Sequence, residues 1–258
     1  MAASSCSTSL VFNVGLHKSA TTTIQDLFKA WGFESVKMFF SGRGELNDFT
    51  RRDMQRGGGR LLRIFRNYEN SSRPSPGLAI SDFPIFGYPA ELSSAYPNAR
   101  FVYVRRDFES WFESWRADVL CQWMVTDVLW DPVLLHHWKR GLEFMRFFWG
   151  RAFTSFFAND TALCADPCGA GWRSIKADAR AVFERHHAAV TTGVDPRRLL
   201  AIDLPNLDQS LPALRAFLGC SPFTSPGPAS GARLQRSNAR RPNKRHAPTD
   251  AWSCDGVG

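Results

Sequence analysis

The sequence predicts an α/β protein of three layers, with a central parallel sheet of about five strands flanked by helices. Two observations lead there. Short apolar runs recur along the chain, centred on Leu10–Val14, Val36–Phe40, Leu78–Ser81, Arg100–Arg105 and Leu199–Ile202. Stretches with apolar residues at helical spacing separate them, as strands buried on both faces and joined by helical crossovers require.

The first run ends at Gly15 and is followed by Ile24, Leu27, Phe28 and Trp31 on one face of a helix from Thr21 to Trp31, stopped by Gly32. After the second run, residues 41–77 are polar, with Gly57-Gly58-Gly59 and Pro74/Pro76, and are expected to form a mobile insertion. The third run leads to a short helix, Pro89–Tyr96, and the fourth to a helix starting near Phe108. Leu135, Trp138, Leu142, Met145, Trp149 and Phe153 mark one long helix or a broken pair between Asp131 and Phe157. Helices over Arg173–Val190 and Leu211–Leu218 flank the last strand. Residues 1–220 therefore read as one domain, and 221–258 as a basic tail rich in Pro, Gly and Ser.

Composition bounds the function. Hydrophobic residues at 44% and charged residues at 22% supply a sizeable core and exclude a disordered chain. No run approaches the roughly 18 apolar residues of a membrane span. The N-terminal apolar stretch lacks a preceding Lys or Arg and runs into a glycine turn, so a cytoplasmic protein is expected. The net charge is +8, of which the tail carries +4 through Arg233, Arg236, Arg240, Arg241, Lys244 and Arg245 against Asp250 and Asp255. A basic body suits a polyanionic small molecule. The six scattered cysteines are expected to be free thiols; Cys164 and Cys168 are spaced for a small disulfide or half of a metal site. No metal is expected.

Ligands of parallel sheets bind beyond the carboxyl ends of the strands, which directs attention to Gly15, Asp82 and Arg106. The segment Gly15-Leu16-His17-Lys18-Ser19-Ala20-Thr21-Thr22-Thr23 joins a strand to a helix. Amides at a helix N-terminus favour a phosphate, Lys18 adds a cation, and Thr21 to Thr23 add hydroxyl donors. The spacing departs from the nucleotide-triphosphatase loop, because Lys18 sits three residues after Gly15 and Ala20 stands where glycine is common. In RFVYVRRDFESWFESW, residues 100–115, a strand delivers Arg106 to its end, and Ser114 lies eight residues on. An arginine and a serine so placed suit one terminal phosphate; Arg105 is open to the same role.

GLHKSATTT resembles the 5′-phosphosulfate loop of the sulfotransferase family, in which a lysine precedes a Thr/Ser pair by three residues. The Arg106–Ser114 spacing resembles that family's 3′-phosphate motif. The blocks SDFPIFGYPAELSSAYPNARFVYVRRDFESWFESW and FERHHAAVTTGVDPRRLLAIDL, with LRAFLG after them, extend the likeness over most of residues 10–220. The resemblance implies a P-loop α/β fold and transfer of the sulfuryl group of 3′-phosphoadenylyl sulfate (PAPS) to a hydroxyl or amine. It further implies a small-molecule or glycan acceptor, with neither membrane nor nucleic acid as partner. By the same resemblance Gly15, His17, Lys18, Ser19, Ala20, Thr21, Thr22, Thr23, Arg106 and Ser114 hold the donor, and Lys18 also acts catalytically on the leaving oxygen. Cytosolic members place a His-x-Pro base at the end of the third strand; here Asp82-Phe83-Pro84 stands there, so Asp82 is the expected general base. Glu34 and His17 are the other candidates. The alternatives are a nucleotide kinase or P-loop NTPase, with Asp203 ending the last strand, and a basic nucleic-acid-binding module acting through the tail.

Overall fold

The structure is a computed structural model that describes residues 6–37, 65, 77–82, 85–128, 146, 148–157, 160–166 and 169–221. The insertion expected at 41–77, apart from Phe65 and Gly77, lies outside these residues, as does the tail beyond Ser221. The described residues fall into two compact units, one built from residues up to Arg106 together with those from His186 onward, the other from Asp107–Arg185.

The first unit is a five-stranded, wholly parallel sheet. Its strands are β1 Leu10–Asn13, β2 Glu34–Lys37, β3 Leu78–Ser81, β4 Arg100–Arg105 and β5 Leu199–Asp203, in the order β2-β3-β1-β4-β5. β1 lies at the centre with β3 on one side and β4 on the other, so the carboxyl ends of β1, β3 and β4 meet along one edge. β1 and β3 are buried along their whole length, which is why they read as apolar runs closed by a single polar residue, Asn13 and Ser81.

One face of the sheet carries Val11, Ala79, Val102, Val104 and Ile202. It packs against Ile24, Leu27 and Phe28 of helix α1 (Thr21–Ala30) and against Leu214 of the closing helix, Leu207–Phe217. Each fully buried side chain of this size contributes about 1.5–3 kcal/mol, and a charge in place of Phe28 would open this layer. The other face carries Phe12, whose ring lies 5.5 Å from Tyr96 and 5.4 Å from Phe101. There helix α2 (Pro89–Ala95) and the end of the long helix described below, with His186 and His187, form the third layer.

In the second unit, α3 (Phe108–Ser114) starts at Asp107, whose carboxylate accepts from the Ser110 amide at 2.8 Å. It runs into wide π-type turns, Trp115–Val128, then α4 (Arg151–Phe157), α5 (Asp160–Ala165) and about the first four turns of α6 (Gly171–Gly193), whose remainder belongs to the first unit. Trp111, Trp115 and Trp149 are fully buried and mutually packed, with centroids 4.7–5.4 Å apart. Those tryptophans are core.

Several expectations need correction. β2 begins at Glu34 rather than Val36. The closing helix, α7, begins at Leu207 rather than Leu211 and holds Pro212 inside it. The stretch Asp131–Phe157, expected as one long helix or a broken pair, is interrupted in its described part at Gly150, which takes φ 54°. Four of the six cysteines are not free thiols: Cys6 pairs with Cys220 and Cys121 with Cys164, so Cys164 does not serve a bridge to Cys168, while Cys168 and Cys254 lie outside the described residues. Cys6 and Cys220 also face each other in an isolated antiparallel bridge, which brings the two sulfurs together across a separation of 214 residues.

Candidate active site

The loop after β1 is held before it reaches α1. Val14 donates to the Val102 carbonyl at 2.9 Å, keeping the chain against β4, and the Ser19 amide returns to Leu16 at 3.1 Å to close a turn. Lys18 and Ala20 take φ of 65° and 57°, a left-handed backbone that costs about 1–3 kcal/mol each for non-glycine residues. Ala20 is the N-cap of α1 and makes no side-chain cap bond. The amides of the first helical turn therefore receive no cap from the Ala20 side chain, and they lie at the positive end of the helix dipole. Gly15 is required by crowding, since a Cβ there would meet Asn13 Oδ1 and the Val104 carbonyl, each at 3.3 Å.

The loop side chains divide by exposure. Lys18, Ala20, Thr22 and Thr23 are half-buried, whereas His17, Ser19 and Thr21 are buried. Of the buried ones, His17 and Thr21 contact Asp82. His17 Nδ1 pairs with Asp82 Oδ1, and Thr21 Oγ1 lies 3.5 Å from Asp82 Oδ2, so the Asp82 carboxylate is engaged on both oxygens. Asp82 follows the last residue of β3, is buried, and takes φ 77°. The His17 ring packs edge-on against Phe86 at 4.6 Å, in the single 3₁₀ turn Ile85–Gly87 that follows. Phe83 and Pro84 lie outside the described residues.

From β4, the Arg106 guanidinium reaches the loop: Nη1 donates to the Lys18 carbonyl at 2.9 Å. Arg105 does not share this position. Its guanidinium pairs with Asp203 at 2.8 Å, as the register of β4 with β5 dictates. Asp203 is thereby held on the outermost strand by an arginine, where the kinase reading needs a metal ligand beside the loop.

Lys18, Asp82 and Arg106 thus gather at one edge of the sheet, with His17 behind. Glu34 does not join them. It pairs with Leu78 at the opposite end of β3, three residues or about 10 Å from the edge. Ser114 ends α3 in the second unit and is half-buried there.

Sequence reasoning missed two residues. Asn13 is fully buried at the end of β1, and its Oδ1 accepts from the Gly15 amide at 3.1 Å. His186 of α6 is buried, and its Nε2–H donates to the Val14 carbonyl at 3.0 Å. Burial holds the His186 imidazole neutral, pushing its pKa down to about 4. A polar residue closing an apolar strand was the available signal for Asn13; the His186-His187 doublet offered none for its role.

A parallel sheet whose central strand runs through a lysine-bearing loop into a helix, faced by an arginine from the neighbouring strand, defines an α/β protein with its cationic side chains gathered beyond the carboxyl ends of the strands. The chain belongs to the sulfotransferase domain family, whose family model matches residues 10–229. No curated protein is similar enough to count as a match. The fold is the α/β P-loop architecture of that family, and the protein is a transferase. No described helix is long and apolar enough to cross a membrane.

Proposed function

We propose that the protein transfers the sulfuryl group of PAPS to a hydroxyl or amine of a small-molecule or glycan acceptor. The observation that carries this reading is the contact of Arg106 with the Lys18 carbonyl, which ties the lysine loop to the strand-end arginine. The donor set fits such a nucleotide: a lysine, first-turn amides and two half-exposed threonines for the sulfated end, and an arginine fork for a phosphate at the ribose end. Ser114 is the second contact to that phosphate, an assignment that rests on its eight-residue spacing from Arg106.

As the acceptor oxygen or nitrogen bonds to sulfur, the bond from sulfur to the phosphate oxygen breaks. Lys18 and the first-turn amides stabilise the charge that grows on that oxygen. Asp82 takes the proton released by the acceptor, and His17, bonded to the same carboxylate, orients it. The chemistry asks for no metal.

A cytoplasmic site of action is in tension with the two cystines, which cytosolic thiols would reduce. We favour an environment in which they persist.

Thermal-shift titration tests the donor. Adenosine 3′,5′-bisphosphate is expected to raise the melting temperature by mass action, and ATP with magnesium is not. Stabilisation by ATP alone would replace this reading with the kinase one.

A further inference from the structure

One peptide unit at the root of the lysine loop is held from both sides. The Val14 carbonyl accepts from His186 Nε2 at 3.0 Å, and the Gly15 amide on the same unit donates to Asn13 Oδ1 at 3.1 Å. The two side chains come from opposite layers. Asn13 shares its face of the sheet with Val11, on the α1 side, whereas His186 stands on α6 beside Tyr103, 5.8 Å between ring centroids, on the other. All these groups are buried.

We propose that Asn13 and His186 are positioning residues that orient the donor loop, a role that rests on the sulfotransferase reading only in what the loop is being oriented for. A peptide plane pinned at its oxygen and its hydrogen cannot rotate. The direction in which Leu16, His17 and Lys18 leave the strand is thereby set before any nucleotide arrives. This accounts for the absence of a side chain at residue 15, because a Cβ there would press on Asn13 Oδ1, one half of the clamp. It also accounts for a histidine in an apolar layer. A neutral imidazole with hydrogen on Nε2 supplies the one donor that a buried carbonyl needs, and the edge of Tyr103 and the ring of Phe86 hold it in place. His187 is engaged separately, its Nδ1 lying 3.2 Å from the Tyr103 hydroxyl. The Gly15 amide is engaged by Asn13 before any nucleotide arrives. Preorganisation of this kind matters because displacing a loop by about 1 Å costs roughly 100-fold in rate.

Residue-resolved amide hydrogen exchange on the full chain tests the clamp without any ligand. In the wild type the Gly15 amide should be protected like those of the strands. His186→Ala and Asn13→Leu should each lower that protection by about 10-fold or more while Val102 and Ile202 keep theirs. His186→Gln, which places an amide donor at similar reach, should restore most of it. In parallel, calorimetry with adenosine 3′,5′-bisphosphate should show about 10-fold weaker binding in His186→Ala and recovery in His186→Gln. A Gly15 amide that exchanges at free-loop rates in the wild type overturns the proposal, as does a His186→Ala variant with unchanged protection. Should the alanine variant fail to fold, wild-type exchange and the glutamine variant decide alone. A wild type that protects Gly15 yet binds no bisphosphate leaves the clamp standing and removes the nucleotide reading instead.

Discussion

The Arg106 guanidinium donates to the main-chain oxygen of Lys18 at 2.9 Å, joining residues 88 apart in sequence at the edge where β1 and β4 end. A guanidinium carries five N–H donors in a planar fork, and this contact uses one of them. The arginine is therefore positioned by the loop it serves, and the loop by the arginine. A lysine at residue 106 would keep the charge and lose the fork. The consequences of this arrangement extend to each neighbouring group.

Asp82 combines a strained backbone with a carboxylate bound by His17 and Thr21, and two substitutions separate these. Asp82→Asn keeps a side chain that tolerates the left-handed region and should cost little stability, but it should lower kcat by ~10²–10⁴ if the carboxylate accepts the proton. Asp82→Gly relieves the backbone and should be equally inactive. Steady-state kinetics beside a melting curve separates the effects, and full activity in Asp82→Asn would remove Asp82 from the chemistry.

Gly15→Ala places a methyl carbon 3.3 Å from Asn13 Oδ1 and from the Val104 carbonyl. Neither neighbour yields easily, since one holds the Gly15 amide and the other belongs to β4. The expected cost is about 1–3 kcal/mol in urea unfolding, with a larger proportional loss of donor affinity than of core stability. An alanine variant with unchanged donor affinity would show that the loop root is not under tension.

His186 titrates at about 4 in the fold against an ordinary 6.5. Between these values the unfolded chain binds the proton and the folded chain does not. Its contribution is thus intact above pH 6.5 and is lost progressively as pH falls towards 4, by about 3 kcal/mol in total. Urea unfolding at pH 7 and pH 4.5 should show a smaller drop in His186→Gln than in the wild type. Equal drops would mean the imidazole is not desolvated.

The cystines Cys6–Cys220 and Cys121–Cys164 close separations of 214 and 43 residues. On the chain-entropy view they contribute about 5 and about 4 kcal/mol respectively. Reduction should therefore lower the melting temperature, and Cys6→Ser with Cys220→Ser should reproduce the larger share. Quantitative thiol titration of unreduced protein checks the premise, because reactive thiols at all six cysteines would contradict both bridges.

The sheet was legible because strands covered on both faces must be apolar through their middles, and β1, β3 and β4 are, with polar residues only at their ends. The lysine loop and the arginine were legible for a related reason: anion chemistry uses few residue types at short spacing. Contacts to main-chain atoms are another matter. Neither His186 on the Val14 carbonyl nor Asn13 on the Gly15 amide leaves a complementary partner in the sequence. Arg105 and Arg106 are adjacent and chemically alike, and it takes the structure to separate them: Arg105 pairs with Asp203 across β4 and β5, and Arg106 reaches the Lys18 carbonyl. Glu34 looked eligible until the register put it at the far end of its strand.

The central claim is that Lys18 and Arg106 grip two ends of one nucleotide, and paired titrations test it most directly. Wild-type protein should bind adenosine 3′,5′-bisphosphate more tightly than adenosine 5′-phosphate by the worth of a charge-assisted contact, about 1.5–3 kcal/mol. Arg106→Ala should erase that preference, while Lys18→Ala should weaken both ligands and leave their ratio in place. A wild type that binds the two nucleotides equally, or an Arg106→Ala variant that still discriminates between them, would contradict the account.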